Sequence, residues 1–129
     1  MRDARILTAC GLLAMLAGGA APLRAQQKDS AVVAQGAQIF HGKGGALCTT
    51  CHGRDAKGLP GLGPDLTDST WLHGDGSLPF LRSLIKSGVA KGKKSAAVMP
   101  PYGGVPLSEA QLDAVAAYVQ SLGRKKPGG

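Results

Sequence analysis

Aromatic side chains are scarce in this chain. Its 129 residues include two Phe, two Tyr and one Trp, against 20 Gly. A chain of this length forms one small domain at most. Because large apolar side chains supply most of the core of such a domain, the shortage excludes a large hydrophobic core built from side chains alone.

Strand patterns, internal repeats and a second pair of cysteines are also absent from the sequence. No alternating apolar pattern of any length occurs, which argues against a β-sheet. The three cysteines are Cys10, Cys48 and Cys51. The formal net charge is +7, but no array of interleaved basic and aromatic residues accompanies it. A nucleic-acid partner is therefore not expected.

Long hydrophobic runs are limited to the N-terminal segment. Ile6 to Ala21 is an uncharged run of 16 residues, rich in Leu, Ala and Gly, that follows Arg2 and Arg5. A membrane-spanning helix needs about 20 strongly apolar residues, so an uncleaved anchor is the less favoured alternative. The run is typical of a secretory signal peptide.

The signal-peptide interpretation sets the expected compartment. Leu23-Arg24-Ala25 loosely matches a cleavage site, so we predict that residues 1–25 are removed before Gln26. The product would be periplasmic or otherwise exported, with no transmembrane anchor left. Leu7-Thr8-Ala9-Cys10 resembles a lipoprotein processing site, but most of the apolar run lies after Cys10, so no lipid anchor is expected.

The chain is organised around Cys48-Thr49-Thr50-Cys51-His52. Residues i, i+3 and i+4 of a helical turn share one face, so both thiols and the imidazole can meet one flat group together. This spacing is the signature of covalent c-type haem attachment. We predict one haem c, bound through Cys48 and Cys51, with His52 as an axial iron ligand. Such a rigid apolar plate would also supply the missing core.

A CxxC pair also occurs in zinc sites and in redox dithiols. A structural zinc site takes four Cys or His ligands, and no second Cys pair follows Cys51. A thioredoxin-like dithiol lies between a strand and a helix, and no βαβ pattern is visible. These two alternatives are therefore less favoured than haem attachment.

Met99 is the candidate for the sixth iron ligand. The other methionines, Met1 and Met15, lie in the predicted signal peptide. Met99 begins the segment Met99-Pro100-Pro101-Tyr102, in which two prolines stiffen the backbone. His/Met ligation raises the reduction potential of a haem. The alternatives are that Met99 only fills a gap, or that His41 or His73 replaces it as the ligand.

Helical periodicity and capping signals predict the main helices of a domain over residues 31–123. Ser30 caps a first helix over Ala31 to His41, after a mobile polar lead at 26–30. Ser77 caps a second helix, which Gly88 ends. The apolar face of this second helix comprises Phe80, Leu81, Leu84 and Ile85.

The last helix carries the clearest pattern. Ser108 and Gln111 form a capping box, and Gly123 is expected to stop the helix. A flexible basic tail at 124–129 follows. One apolar stripe comprises Leu112, Val115, Ala116, Val119 and Leu122.

With its haem motif followed by Met99-Pro100-Pro101-Tyr102, the chain resembles the class I, mono-haem cytochromes c, over roughly Ala31 to Gly123. It looks closest to small bacterial periplasmic cytochrome c domains. The resemblance implies an all-α, cytochrome c-like fold of about three to five helices wrapped around the haem.

The resemblance also implies roles for residues outside the two motifs. Gly36 and Phe40 on the first helix would pack against the terminal helix near Tyr118. The carbonyl of Pro64 would accept a hydrogen bond from the second nitrogen of His52. Trp71 would pack at the haem edge, near the propionates.

The function expected from this site is electron transfer rather than catalysis. A haem closed on both faces has no open coordination position, and the sequence offers no nucleophile–base pair. The protein would pass single electrons between periplasmic or membrane redox partners of a respiratory chain. The alternative is a cytochrome subunit tightly bound to a larger oxidoreductase, such as a dehydrogenase or terminal oxidase. A haem enzyme such as a peroxidase would need an open or labile sixth position.

A basic run suggests how partners are recognised. The lysines at 86, 91, 93 and 94 are expected to steer redox-partner proteins with acidic docking surfaces, in a salt-sensitive way. The alternative is a solvated basic loop without a specific role.

Overall fold

The computed structural model describes residues 21–93 and 96–123. It contains four α-helices: α1 (Ala21–Phe40), α2 (Cys48–His52), α3 (Leu78–Ser87) and α4 (Glu109–Gly123). Short 3-10 turns occur at Lys43–Gly45 and Pro101–Gly104. Within the described residues there is no strand, and Leu59–Gly63 and Val89–Met99 form isolated bridges. The predicted all-α fold is confirmed.

Three predicted features fall wholly or partly outside the described residues. These are most of the signal peptide (residues 1–20, including Cys10), Lys94 in the basic run, and the tail at 124–129. The predictions made for them remain predictions.

Helix α1 begins earlier than the sequence pattern indicates. Its start at Ala21 shows that the predicted start at Ala31 and the Ser30 cap were wrong, and the polar residues 26–30 lie within this helix. The Ser30 hydroxyl instead donates to the Gln27 carbonyl at 2.9 Å, a bond that fits within a helix. The polar residues before Ser30 carry no apolar periodicity, so the pattern could not reveal this extension.

Helices α1 and α4 cross closely at Gly36. A Cβ at this position would clash with the Ala114 carbonyl and lie 2.8 Å from the Cβ of Tyr118. One turn later, the ring centroids of Phe40 and Tyr118 are 5.4 Å apart. The packing of Gly36 and Phe40 against the terminal helix, which the family resemblance implied, is therefore present. The glycine costs helix propensity but permits the close approach.

Helix α4 supplies most of the core. All five residues of its predicted stripe are buried. The capping box forms as predicted, with the Ser108 N–H donating to the Gln111 side chain at 2.8 Å and the Gln111 N–H donating to the Ser108 hydroxyl at 3.2 Å. Gly123 was expected to stop the helix, and its φ lies outside the left-handed region. It is the last residue of α4, buried against the Trp71 ring.

Helix α3 follows the predicted boundaries. The Phe80 N–H donates to the Ser77 hydroxyl at 3.4 Å, and the helix ends before Gly88. Leu81 and Ile85 are buried, whereas Phe80, which was assigned to the same face, is 37% exposed.

Ion pairs join the exposed surface of α3 to the start of α4. Arg82 pairs with Glu109 and with Asp113, and Lys86 pairs with Glu109 at 3.1 Å. We call these four residues the α3–α4 ion-pair cluster.

Candidate functional site

The attachment motif forms a single helical turn at the wall of a cavity. Cys48, Cys51 and His52 lie on α2, and both thiols are free. All three residues line a cavity of about 620 Å³, a size typical of small-molecule and cofactor sites. Burial raises the pKa of the Cys48 thiol, and the neighbouring Cys51 adds to this effect. The i, i+3, i+4 arrangement predicted from the sequence is therefore present.

His52 is buried, and a hydrogen bond to the backbone orients its imidazole. Its side chain is 9% exposed, and Nδ1 lies 3.0 Å from the carbonyl oxygen of Pro64. Since a carbonyl only accepts, Nδ1 carries the proton and Nε2 is left for a metal ion. Burial lowers the pKa of His52, while the bond to Pro64 opposes this shift. The imidazole is thus kept neutral, as ligation requires.

The loop that brings Pro64 to His52 packs on the end of α2. The Gly58 N–H donates to the His52 carbonyl at 2.8 Å, and the Leu59 N–H donates to the Cys51 carbonyl at 3.1 Å. A Cβ at Gly63 would lie 2.7 Å from the Cys51 carbonyl oxygen, so only glycine allows this approach. Sequence reasoning missed Gly58 and Gly63, whose single signal was the high glycine content of the loop.

Met99 lies on the wall of the same cavity and is half-buried. Its backbone pairs with Val89, directly after α3. The alternative ligands differ from each other in position. His73 is half-buried on the cavity wall, whereas His41 is exposed and is not part of that wall.

Trp71 lines the cavity and also contacts the end of α4. Its ring packs against Gly76, and a Cβ at Gly123 would lie 2.7 Å from Cζ2 of the ring. The buried Gln120 side chain donates to the Gly76 carbonyl at 2.9 Å. No sequence pattern indicated the roles of Gly76 and Gln120. Together they fix the loop that carries Trp71.

The cavity wall brings together all six predicted site residues: Cys48, Cys51, His52, Pro64, Trp71 and Met99. Most of the remaining wall is apolar, with side chains such as Phe40, Leu66, Leu81, Ile85, Val115 and Val119. Within residues 21–93 and 96–123, no three His, Cys, Asp or Glu side chains converge as a metal site made by side chains would require. Free thiols, a neutral imidazole and an apolar slot are together suited to a covalently attached haem.

The helical fold and the CxxCH turn beside an apolar cavity define a cytochrome c domain. The chain belongs to the family described as Cytochrome C oxidase, cbb3-type, subunit III, whose model matches residues 31–119. This membership confirms the predicted relation to the cytochromes c, the all-α cytochrome c fold, haem c binding, and electron transfer by a carrier rather than an enzyme as the class of function.

Curated relatives extend this result. The chain is 44% identical over 105 residues to the Cbb3-type cytochrome c oxidase subunit CcoP of Rhodobacter capsulatus, covering 76% of this chain and 32% of that protein. It is 35% identical over 127 residues to subunit FixP of Bradyrhizobium sp. (strain ORS 278), covering 98% of this chain and 38% of that protein. It is 31% identical over 113 residues to the Cytochrome bc1 complex cytochrome c subunit of Mycobacterium bovis, covering 88% of this chain and 36% of that protein.

The chain thus spans about a third of the length of the curated relatives it matches. No solved structure gave a significant match. Among the helices of the described residues, none combines the length and the hydropathy that crossing a bilayer requires.

Proposed function

We propose that this protein carries one haem c with His52 and Met99 as axial ligands, and that it passes single electrons between respiratory redox partners outside the cytoplasm. The observation that carries the proposal is the convergence of Cys48, Cys51, His52 and Met99 on one cavity. A single haem is proposed because CxxCH occurs once in the sequence.

Each of these side chains has a defined part in holding the group. The thiols of Cys48 and Cys51 would form thioether bonds to the haem, and His52 Nε2 and the Met99 sulfur would ligate the iron. The bound haem supplies reversible one-electron oxidation and reduction. The chain contributes orientation of the imidazole through Pro64 and exclusion of water by the apolar wall.

Ligation by His52 and Met99 favours a carrier. A thioether ligand stabilises ferrous iron and raises the potential. If His52 and Met99 both held the iron, the chain would leave no iron position for a substrate. Electron transfer then needs little movement of the surrounding residues.

A second candidate is permanent membership of a larger respiratory complex. The relatives are named as subunits of cbb3-type oxidases and of bc1 complexes, which favours this alternative. Purification from the native periplasm and membranes would separate the two possibilities. A free shuttle elutes alone, whereas a permanent subunit co-elutes with other haem proteins through size-exclusion chromatography.

Export and partner steering are part of the proposal. The signal peptide over residues 1–25 is supported by its charge and apolar run, and periplasmic delivery fits the site of c-type haem attachment. Lys91 and Lys93 are exposed and suit acidic partner surfaces, whereas Lys86 pairs with Glu109. Steering by these lysines would weaken with salt.

Met99→Ala tests the ligand assignment. Haem should remain attached, the potential should fall, and the reduced protein should bind carbon monoxide, because the sixth position opens. The measurements are a redox titration, a carbon monoxide difference spectrum and a pyridine haemochrome spectrum combined with intact mass. The mass also reports signal cleavage and the number of haems.

His73→Ala is the matched control, because His73 lies on the same wall. It should leave the potential and the resistance to carbon monoxide unchanged. If His73→Ala opens the iron and Met99→Ala does not, His73 is the sixth ligand and the assignment of Met99 is wrong.

A further inference from the structure

Two backbone hydrogen bonds pair Met99 with Val89, the second residue after the C-terminus of α3. The Met99 N–H donates to the Val89 carbonyl at 2.9 Å, and the Val89 N–H donates to the Met99 carbonyl at 2.8 Å. Among the described residues, this bridge belongs to no sheet and no neighbouring strand supports it. The position of the Met99 backbone is therefore set by the end of α3.

Gly88 lies between α3 and this bridge. It directly contacts the segment of residues 99–103, which we call the Met99 loop. Its φ of +70° and ψ of −173° belong to a region that is essentially limited to glycine. A Cβ at Gly88 would clash with the Met99 carbonyl oxygen and lie 2.8 Å from the Pro101 nitrogen and 2.9 Å from the Pro100 carbonyl carbon. All three atoms belong to the backbone, so no side-chain rotation can relieve the contact.

The other end of the loop is also fixed. The Gly103 N–H donates to the Pro100 carbonyl at 3.1 Å, and the Leu47 N–H donates to the Gly103 carbonyl at 3.1 Å, next to the attachment motif. Tyr102 has a φ of +56°, which a residue with a side chain adopts only under the constraint of its surroundings. Two prolines stiffen the span between these points. A displacement at Gly88 therefore moves the Met99 backbone.

We propose that Gly88 is a positioning residue for the sixth ligand, and that its missing side chain sets how closely the Met99 thioether approaches the iron. This inference rests on the proposed ligation by Met99. An iron–thioether bond is weak, so its occupancy depends on how well the backbone places the sulfur. Sequence reasoning assigned Gly88 only the role of ending a helix.

Gly88→Ala in the haem-loaded protein tests the inference. Haem content per polypeptide should be unchanged, because the attachment motif is not touched. The weak near-infrared absorption band of a ferric iron–thioether bond should lose most of its intensity, the reduced protein should bind carbon monoxide, and the potential should fall toward that of Met99→Ala.

Gly42→Ala is the matched control. Gly42 also has a positive φ, +103°, but a Cβ there has only an ordinary contact, 3.8 Å from the Ala46 carbonyl oxygen, and Gly42 does not line the cavity. Gly42→Ala therefore introduces backbone strain without displacing the Met99 loop. The intensity of the near-infrared band, the reduction potential and the resistance to carbon monoxide should all match those of the parent protein.

The outcomes are distinguishable. If Met99→Ala alters all three readouts and Gly88→Ala alters none, the inference is overturned while Met99 ligation stands. If Met99→Ala alters none, the ligation proposal fails and the inference falls with it.

If Gly88→Ala yields no holoprotein, Val89→Pro replaces it, since proline removes the N–H that donates to Met99. A weakened band then supports the inference, and an unchanged band overturns it.

Discussion

Three local effects suit His52 to its proposed role as an iron ligand. Its burial disfavours the imidazolium ion, its Nδ1 hydrogen bond fixes the tautomer, and its place on α2 brings it to the same wall as the two thiols. If His52 ligates iron as proposed, the hydrogen bond would also make Nε2 a stronger donor to that iron. The distance between Pro64 and His52 would then tune the potential.

Gly63→Ala should weaken that hydrogen bond. The new Cβ would lie 2.7 Å from the Cys51 carbonyl oxygen, so the loop that carries Pro64 must move away from α2. We expect a higher potential, because the imidazole donates less, and a loss of about 1–3 kcal/mol in the free energy of unfolding. Redox titration and denaturant unfolding of the holoprotein provide the measurements.

Gly61→Ala is the control for Gly63→Ala. A Cβ at Gly61 meets no protein atom within 4 Å, although its φ is +77° and Gly61, like Gly63, lines the cavity, so this variant keeps the position of the Pro64 loop. Some stability should be lost through backbone strain, with no change in potential. Equal potentials for the parent and Gly63→Ala would contradict the proposed role of this contact.

At the scale of helices, a few close contacts determine how the elements meet. Gly36 sets the crossing of α1 and α4, and the α3–α4 ion-pair cluster joins α3 to the beginning of α4. The hydrogen bond from Lys86, followed by the charge of Arg82, lowers the pKa of Glu109 from its ordinary 4.5. The cluster is exposed, so its contribution to stability is small and sensitive to salt.

The lowered pKa of Glu109 gives a signed pH dependence. A carboxylate whose pKa is lower in the folded state stabilises that state above its unfolded pKa. This contribution is lost as the pH falls through the lowered value. The melting temperature of the holoprotein should therefore drop between about pH 5 and pH 3, and Glu109→Gln should show a smaller drop.

Thermal melts followed by far-ultraviolet circular dichroism at low and high salt check this expectation. High salt should reduce the difference between the parent and Glu109→Gln. Identical pH profiles for the two proteins at low salt would show that the cluster does not contribute.

Helix boundaries were predictable where a local signal exists. Ser77 and the Ser108–Gln111 box are caps whose partners lie three residues away, so the sequence contains the complete motif. The start of α1 was not predictable, since the residues before Ala31 have no apolar stripe. Gly123 was expected only to stop α4. Its close contact with Trp71 was not predictable, because Trp71 lies 52 positions away and no local pattern reveals the contact.

The same distinction applies to the site. The attachment turn follows from spacing within five residues, and Met99 follows from its prolines and its place in the chain order. Pro64 and Trp71 came from family resemblance, because their contacts with His52 and α4 are long-range. The Val89–Met99 bridge and the Gly88 contact required the structure, since nothing in the sequence pairs α3 with that loop.

Across the whole molecule, the side-chain core is small. Among the described residues, twelve hydrophobic side chains are buried, and four of them are alanines. The cavity of about 620 Å³ lies beside this core and is lined by several of its members. If the proposed haem occupies this cavity, the apolar surface that stabilises the fold would be completed only when the haem is bound.

Cys51→Ala tests this dependence. Loss of one thioether attachment should reduce haem content, and the haem-free fraction should lose cooperative unfolding, because the cavity wall is then exposed to water. Pyridine haemochrome content and thermal unfolding of the separated apo fraction are the measurements.

Thr49→Ala keeps both cysteines and is the control for Cys51→Ala. It should retain full haem content and a single cooperative transition. A haem-free fraction of Cys51→Ala that unfolds as sharply as the parent would refute the view that the cofactor completes the core.

The hydrogen-bond acceptor of His52 is a main-chain oxygen, which affects how residue 64 can change during evolution. Every amino acid carries that oxygen, so no point mutation at position 64 can delete it. Genetic drift at this position can change the shape of the segment but not the presence of the acceptor. Insertions and deletions between the CxxCH motif and Pro64 would instead move the acceptor away from His52. We therefore expect the length of this segment to be under stronger selection than the identity of residue 64.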